Sequence, residues 1–327
     1  MRFTDLKNTT IFAAFSLLLS LVFAVNASAE NGASHSPYEE YQITLKAHIS
    51  MPMSTAVFSD SDGPGTEIEY SALHPLYLAR WGGELIFHGF SALYEKNMYD
   101  FFQQVDYNFQ AAYTGQYFCV ELFYTVREKY YLYDPTLQDN FEEQQKYDFY
   151  PEPDVASRHY GMNLYGILSS DFSYNAGFRQ GERQSRSAGA FMVKATPSRF
   201  ALETDTGFIP DNMRSFYGGE GVLNTVTVDA LAVSAGYAYN LTSGGWFVMP
   251  YGFIGYDIQK IEYNTQTGSR DRSNRELRYD YGVYLGYNES DSILVVRYAL
   301  DHRDIELEKT SIRFDDKVFQ IIIGFRM

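Results

Sequence analysis

The chain has 327 residues, 45% hydrophobic and 17% aromatic, with a formal net charge of −15. That length suits one large domain or two small ones, and the acidic balance excludes a phosphate-binding surface for nucleic acid. Cys119 is the only cysteine, which rules out an intrachain disulfide.

The N-terminus reads as an export signal. Arg2 and Lys7 precede an apolar run from Ile11 to Val25, and Ala27-Ser28-Ala29 is an A-x-A cleavage site. Residues 1–29 are therefore expected to be a signal peptide, 30–40 a periplasmic lead-in, and 41–327 the working domain. Loss of 1–29 removes two basic residues and one acidic residue, leaving a charge of about −16. Beyond the signal no stretch is long and apolar enough for a transmembrane helix. A membrane protein without such helices must be a closed barrel, because only closure pairs every backbone group in lipid.

The rest of the chain alternates. Tyr41, Ile43, Leu45, Ala47, Ile49 and Met51 share one parity, and Gln42, Thr44, Lys46, His48 and Ser50 the other. Successive side chains of a strand point to opposite faces, so this is a strand with one apolar face. A loop covers Pro52 to Thr66. Glu67 to Leu78 is extended, Arg80-Trp81-Gly82-Gly83 is expected to turn, and Glu84 to Leu93 returns. Val105 to Tyr113 and Gln116 to Arg127 alternate around a turn at Thr114-Gly115. Glu128 to Ser157 is acidic, rich in Tyr, Gln and Pro, and reads as a long loop able to fold into a barrel mouth. Strands are then expected at Arg158–Leu168, Phe172–Gly181, Ser187–Ala195 and Phe200–Phe208, with a break at Pro197-Ser198. Val222–Asn240 and Trp246–Glu262 flank a turn at Ser243-Gly244-Gly245. A loop is expected over Tyr263–Arg275, a strand through Leu277–Tyr287, and a turn at Asn288–Asp291. The next strand carries Leu294, Val296, Tyr298 and Leu300 on one face, and Ile305 to Asp316 leads to the last strand. There Phe319, Ile321, Ile323 and Phe325 form an apolar row, as in closing strands that the barrel-assembly machinery recognises.

Short and long connections alternate, as they do in outer-membrane barrels with short periplasmic turns and longer outer loops. The fold class is all-β: a closed antiparallel transmembrane β-barrel of about fourteen strands, or twelve if the weak pair around Pro197 is not real. Many outward Tyr and Phe suit interfacial girdles.

One segment carries a resemblance. Phe172-Ser173-Tyr174-Asn175-Ala176-Gly177-Phe178-Arg179-Gln180, with Gln184-Ser185-Arg186-Ser187-Ala188-Gly189 after it and Tyr150-Pro151-Glu152-Pro153-Asp154 before it, resembles a group of secreted bacterial proteins of about this length. They are known only as a domain of unknown function and are taken to be outer-membrane barrels. Glu152 departs from the pattern, which has a basic residue there. The resemblance implies export and a barrel, and no activity.

Candidate functional residues follow from parity. Lys46, Asp106, Glu121, Arg127 and Arg179 read as facing the lumen, as do Arg278, Asp280, Arg297 and Arg303. They are candidates for a constriction or for a cross-linked, plugged interior. Arg183 and Arg186, placed at the outer rim, and Arg270, Arg272 and Arg275, placed in an outer loop, are candidate contacts for lipopolysaccharide phosphate. Pairing with lumen carboxylates or simple solvation is the plainer account of both sets. The acidic residues Glu142, Glu143, Asp148, Glu152 and Asp154 lack an ordered cation-loop pattern. No Ser-His pair has a recognisable catalytic setting, and His302-Arg303-Asp304 mimics a kinase tripeptide without the rest of the kinase set. No cofactor or metal is expected. Passage of a small solute or polymer is the leading functional expectation. A closed, envelope-organising barrel is the alternative, and a lipid-modifying enzyme is third. Expected partners are outer-membrane lipid, lipopolysaccharide and the assembly machinery.

Overall fold

A computed structural model describes residues 38–40, 43–60, 67–71, 79–98, 106–128, 130–133, 155–211, 213–289 and 291–327. The expected signal peptide and the five acidic residues from Glu142 to Asp154 lie outside them.

The strands are β1 (Tyr38–Glu40), β2 (Ile43–Asp60), β3 (Glu67–Ser71), β4 (Arg80–Phe87), β5 (Phe90–Asn97), β6 (Asp106–Thr114), β7 (Phe118–Glu128) and β8 (Tyr131–Tyr133). They continue as β9 (Ala156–Ile167), β10 (Glu182–Gln184), β11 (Ala188–Glu203), β12 (Thr225–Ser243), β13 (Trp246–Thr265), β14 (Gly268–Glu289), β15 (Ser292–Glu306) and β16 (Thr310–Arg326). Twelve of them, β2, β4–β7, β9 and β11–β16, form one antiparallel sheet that closes on itself where β16 pairs with β2. Phe319 lies opposite Met51 and Phe325 opposite Leu45 across that seam. Short β3 pairs with the far half of β2 and carries β8 on its other edge, while β1 pairs with β10 apart from the barrel.

Parity explains the wall. On β16, Ile323 and Phe325 are exposed outside while Gln320, Ile322 and Arg326 are buried inside. Exposed apolar residues continue around the outside as Leu45, Phe191, Leu231, Ile254, Leu285 and Leu294. Aromatic side chains crowd both margins of this belt: Trp246 packs on Tyr287 at 5.4 Å near one end, and Tyr107, Tyr124 and Tyr160 form a row towards the other. Strand length varies, from 8 residues in β4 to 22 in β14. At about 3.3 Å per residue β14 is roughly 70 Å long, well beyond an apolar belt of about 25 Å even when tilted. Residues 268–275 of β14 are exposed or half-buried on both faces and lie beyond its ladder to β15.

Several expectations are corrected. Residues 80–83 lie within β4; the turn is His88-Gly89, both at positive φ, as a two-residue hairpin of this hand requires. Phe172–Gly181 is not a strand. It folds inside the barrel around a π-helical turn at Asn175–Arg179. Pro197 does not break β11, which runs unbroken along β12. Its missing N–H falls where the ladder to β9 skips two residues and then resumes in the same register. Loss of Phe172–Gly181, fusion of two others at Pro197, the place of β3 outside the twelve and division of Glu84–Leu93 between β4 and β5 together turn fourteen into twelve. The expected loop 263–275 is a tight turn at Gln266-Thr267 between extended strands. Long connections are therefore not confined to one end: 168–187 lies at the end that carries the start of β2 and the finish of β16, here called the lower end.

Candidate functional site

The lumen is filled at both ends and hollow between them. The lower plug is the connection 168–187. Its residues 172–177 are buried whatever their parity, because the segment is surrounded by wall. Ser173 Oγ accepts the Ala176 N–H at 2.9 Å and donates to Glu182 at 2.7 Å; Asn175 also donates to Glu182, at 2.9 Å. These bonds fold the segment back on itself, and Gln180 ends the turn in the left-handed region at φ 49. Gly177 is required by proximity: a β-carbon there would collide with Met249 Sδ on β13.

Charged groups fasten the plug to the wall. Lys46 Nζ pairs with Glu84 at 2.7 Å and donates to the Arg179 carbonyl. The Arg179 guanidinium bonds Glu84 at 3.4 Å and also Glu121. Arg326 donates to the carbonyls of Gln180 (2.9 Å) and Glu182 (3.3 Å) and to Asn288 Oδ1. Phe178 adds aromatic contacts to Tyr251 and Tyr284, with centroids 5.1 and 5.8 Å away.

The upper seal is apolar. Inward residues of six barrel strands, among them Phe58, Leu202, Val226, Ile261, Ile305 and Ile312, join one buried cluster with Phe208, Ile209, Tyr217 and Leu223 of the 204–224 connection. Phe208 stacks on Phe58 at 5.1 Å. The Tyr70 hydroxyl donates to the Phe208 carbonyl at 2.6 Å and the Tyr217 hydroxyl to the Phe58 carbonyl at 3.1 Å. Burial, with Asp60 and Glu67 nearby, pushes the Tyr217 hydroxyl up to about 12, so it stays a donor. Tyr130 and Val155, at the described ends of the long acidic stretch, belong to the same cluster.

Between the seals lies a chamber of about 230 Å³ with a charged lining. On one wall Arg80 Nε donates to Asp106 at 2.9 Å, and Arg127 reaches Asp316 at 3.5 Å. On the other, Asp301 accepts from Arg278 and Arg303, each at 2.9 Å, and Lys194 pairs with Asp280 at 2.9 Å. Two charges stand apart. Among the described residues Glu95 accepts only from neutral donors, namely Ser50, Asn108 (3.0 Å) and Gln320 (2.8 Å). Arg297 lies over the Tyr284 ring at 5.2 Å, and among the described residues no carboxylate is within 4 Å of it.

The sequence of residues 35–327 matches a family described as a domain of unknown function (DUF4421). The chain belongs to that family. The match extends over the barrel the resemblance first read from the plug segment. Among curated proteins none matches. Of solved structures, the outer membrane protease OmpT from Escherichia coli is similar at 9% identity over 91% of this chain and 99% of its own, with a TM-score of 0.43. The translocator domain of the autotransporter NalP from Neisseria meningitidis is similar at 10% identity over 98% and 100%, TM-score 0.39. An outer membrane channel from Pseudomonas putida is similar at 8% identity over 90% and 100%, TM-score 0.36.

For this member of the family, the structure puts Lys46, Asp106, Glu121, Arg127 and Arg278 inside the wall and ion-paired. Asp280 and Arg297 line the chamber, and Arg303 lies behind it on Asp301. Arg179 is inside as well, but on the plug and not on a strand. The outer-rim placement of Arg183 and Arg186 is overturned: both lie at the lower end, where Arg183 pairs with Glu289 at 3.4 Å and Arg186 is exposed. Arg270, Arg272 and Arg275 lie on β14, not in a loop. Arg270 pairs with Glu308, Arg272 donates to the Leu307 carbonyl, and Arg275 is exposed on the outer face. His48 bonds Gln320, His159 bonds Arg303, and His302 bonds Asp304 and Asp315, so none of these three is joined to a serine. Sequence reasoning missed Arg80, Glu84, Glu95 and Lys194. Glu95 and Lys194 carried a signal, since each has an exposed apolar neighbour, Tyr94 and Val193.

Proposed function

We propose that the protein is an integral outer-membrane barrel that admits a small solute to an enclosed chamber, so that passage is gated. The observation that carries this reading is the charged chamber between the lower plug and the upper apolar cluster. Buried ion pairs are a costly filling, since apolar residues of similar volume do as well or better for stability. A barrel serving only as a spacer would gain nothing from them. A lumen that meets water in another state needs such groups, and each buried ion can exchange its partner for water when the plug shifts. The apolar belt and its aromatic margins support residence in lipid, with the lower end towards the periplasm by the usual placement of barrel termini.

The apolar upper seal favours a second reading, a permanently closed barrel that organises the envelope. Planar-bilayer recording separates the two. Gated passage predicts a silent or rarely open wild type and step conductance once Phe208→Ala and Tyr217→Ala loosen the seal. Steady open-pore conductance in the wild type would refute gating. Silence in the loosened variant, with its heat-modifiable gel mobility intact, would favour the permanently closed barrel.

A further inference from the structure

We infer that the chamber binds a small zwitterion, with a carboxylate on Arg297 and an ammonium group on Glu95. The inference rests on the chamber being reachable, and it names the class of solute. Its basis is a mismatch in the lining. The other basic side chains that line the chamber (Lys46, Arg80, Arg127, Arg179, Lys194 and Arg278) each meet a carboxylate within 4 Å. Arg297 does not, although its Nε is buried without a hydrogen-bond partner. Glu95 is buried too, and only neutral groups donate to it.

These two charges are neighbours held apart. Arg297 lies opposite Gln320 in the β15–β16 ladder, and the Gln320 amide donates to Glu95 at 2.8 Å. Each is also fixed from behind. Tyr284 supports the guanidinium plane, and Ser50 and Asn108 hold the carboxylate. Direct pairing would be the cheapest way to neutralise both. Instead Arg297 bonds the Tyr251 side chain, and both charges face the same cavity. Arg offers a planar fork that matches a carboxylate in bidentate fashion. Glu95 retains lone pairs for an ammonium donor. Tyr251 and Phe178, which border the cavity beside Tyr284, give a short apolar side chain a surface to rest on. A plain anion would satisfy Arg297 alone and a plain cation Glu95 alone. Only a molecule carrying both charges satisfies the pair.

Equilibrium dialysis of the refolded full chain in detergent against labelled alanine tests this. Saturable retention is expected at about one alanine per chain. Unlabelled alanine should displace it at least tenfold better than propionate or ethylammonium. Arg297→Met and Glu95→Gln should each weaken retention at least tenfold with normal heat-modifiable mobility. Equal displacement by propionate or by ethylammonium would overturn the inference. So would absence of saturable retention in both the wild type and the chain with Phe208→Ala and Tyr217→Ala, where access no longer limits. Retention without conductance in that loosened chain would leave the site standing and remove gated passage. Conductance without retention would do the reverse.

Discussion

The two seals of this barrel close the same lumen with different balances of chemistry. Above, wall and connection merge into a packed cluster of Phe, Tyr, Leu, Ile and Val with few polar atoms. Below, the plug packs Phe172, Tyr174 and Ala176 into an apolar cluster with Met249, Phe253 and Ile322, and it is also tied by Lys46, Arg179 and Arg326 to carboxylates, an amide and carbonyls. Apolar packing is non-directional, and each large side chain withdrawn from water contributes about 1.5–3 kcal/mol, so the upper seal resists opening as a unit. Ionic contacts are directional and have a substitute in water, so the lower plug adds to its apolar packing a set of ties that can be released one at a time. The lower plug is thus the better candidate for the moving part, and the upper seal for the part that must be breached or stay shut.

The largest effect is expected in the upper seal. Phe208→Ala removes a fully buried ring stacked on Phe58 and should cost about 3–5 kcal/mol, read as a lower urea midpoint in detergent. A midpoint equal to that of the wild type would mean that the seal is not a packed core. The lower plug should respond to pairing instead of volume. Lys46→Met leaves Glu84 with Arg179 and His48, so the loss should fall at the low end of the about 3–5 kcal/mol typical of a broken buried pair. Joining it to Glu84→Leu, which removes the stranded carboxylate, should recover much of that loss. A double variant no better than the single would contradict an ionic latch.

The same contrast explains what the sequence revealed. Alternation reports which face meets an apolar medium, and it read the wall well because lipid-side and lumen-side residues differ sharply, as Phe325 and Arg326 do. It misread Phe172–Arg179 for the converse reason. That segment has wall on every side, so Tyr174 and Asn175 are equally buried and their alternation carries no facing information. Likewise residues 268–275 of β14 are exposed or half-buried on both faces, and with no contrast to report they read as a loop although their ladder to β13 continues to Thr265. Lumen charges on long alternating strands, such as Lys46 and Arg297, were legible. Glu84 and Arg80 were not, because the glycines at 82 and 83 suggested a turn. The unpaired state of Arg297 and Glu95 depends on contacts between distant strands, which no local pattern encodes.

A smaller effect is expected at the plug's lower edge. Arg326→Met removes donors to two plug carbonyls and to Asn288, which should cost about 1–3 kcal/mol. The loss should be local. Faster protease cleavage within 168–187 at an almost unchanged urea midpoint would place Arg326 as a latch on the plug. A fall in midpoint as large as that of Phe208→Ala, with no change in cleavage, would instead make it part of the barrel wall's own stability.

The smallest effect is expected where an ion pair stands outside both seals. Arg270 and Glu308 are 44% and 54% exposed, Arg270 near the start of β14 and Glu308 in the β15–β16 turn. Exposed pairs contribute at most about 1 kcal/mol and weaken with salt, since screening extends to about 3 Å at 1 M. Arg270→Ala should therefore shift the midpoint slightly at low salt and not at all in 1 M NaCl. Arg278 provides the control: it is eight residues further along the same strand, buried between Asp257 and Asp301. Arg278→Ala leaves Asp257 buried and, among the described residues, without a basic partner, and Asp301 with Arg303 alone, and its cost should persist in high salt. If the two substitutions cost the same, burial does not set the strength of these pairs, and the assignment of the lower plug as an ionic, releasable seal loses its physical basis.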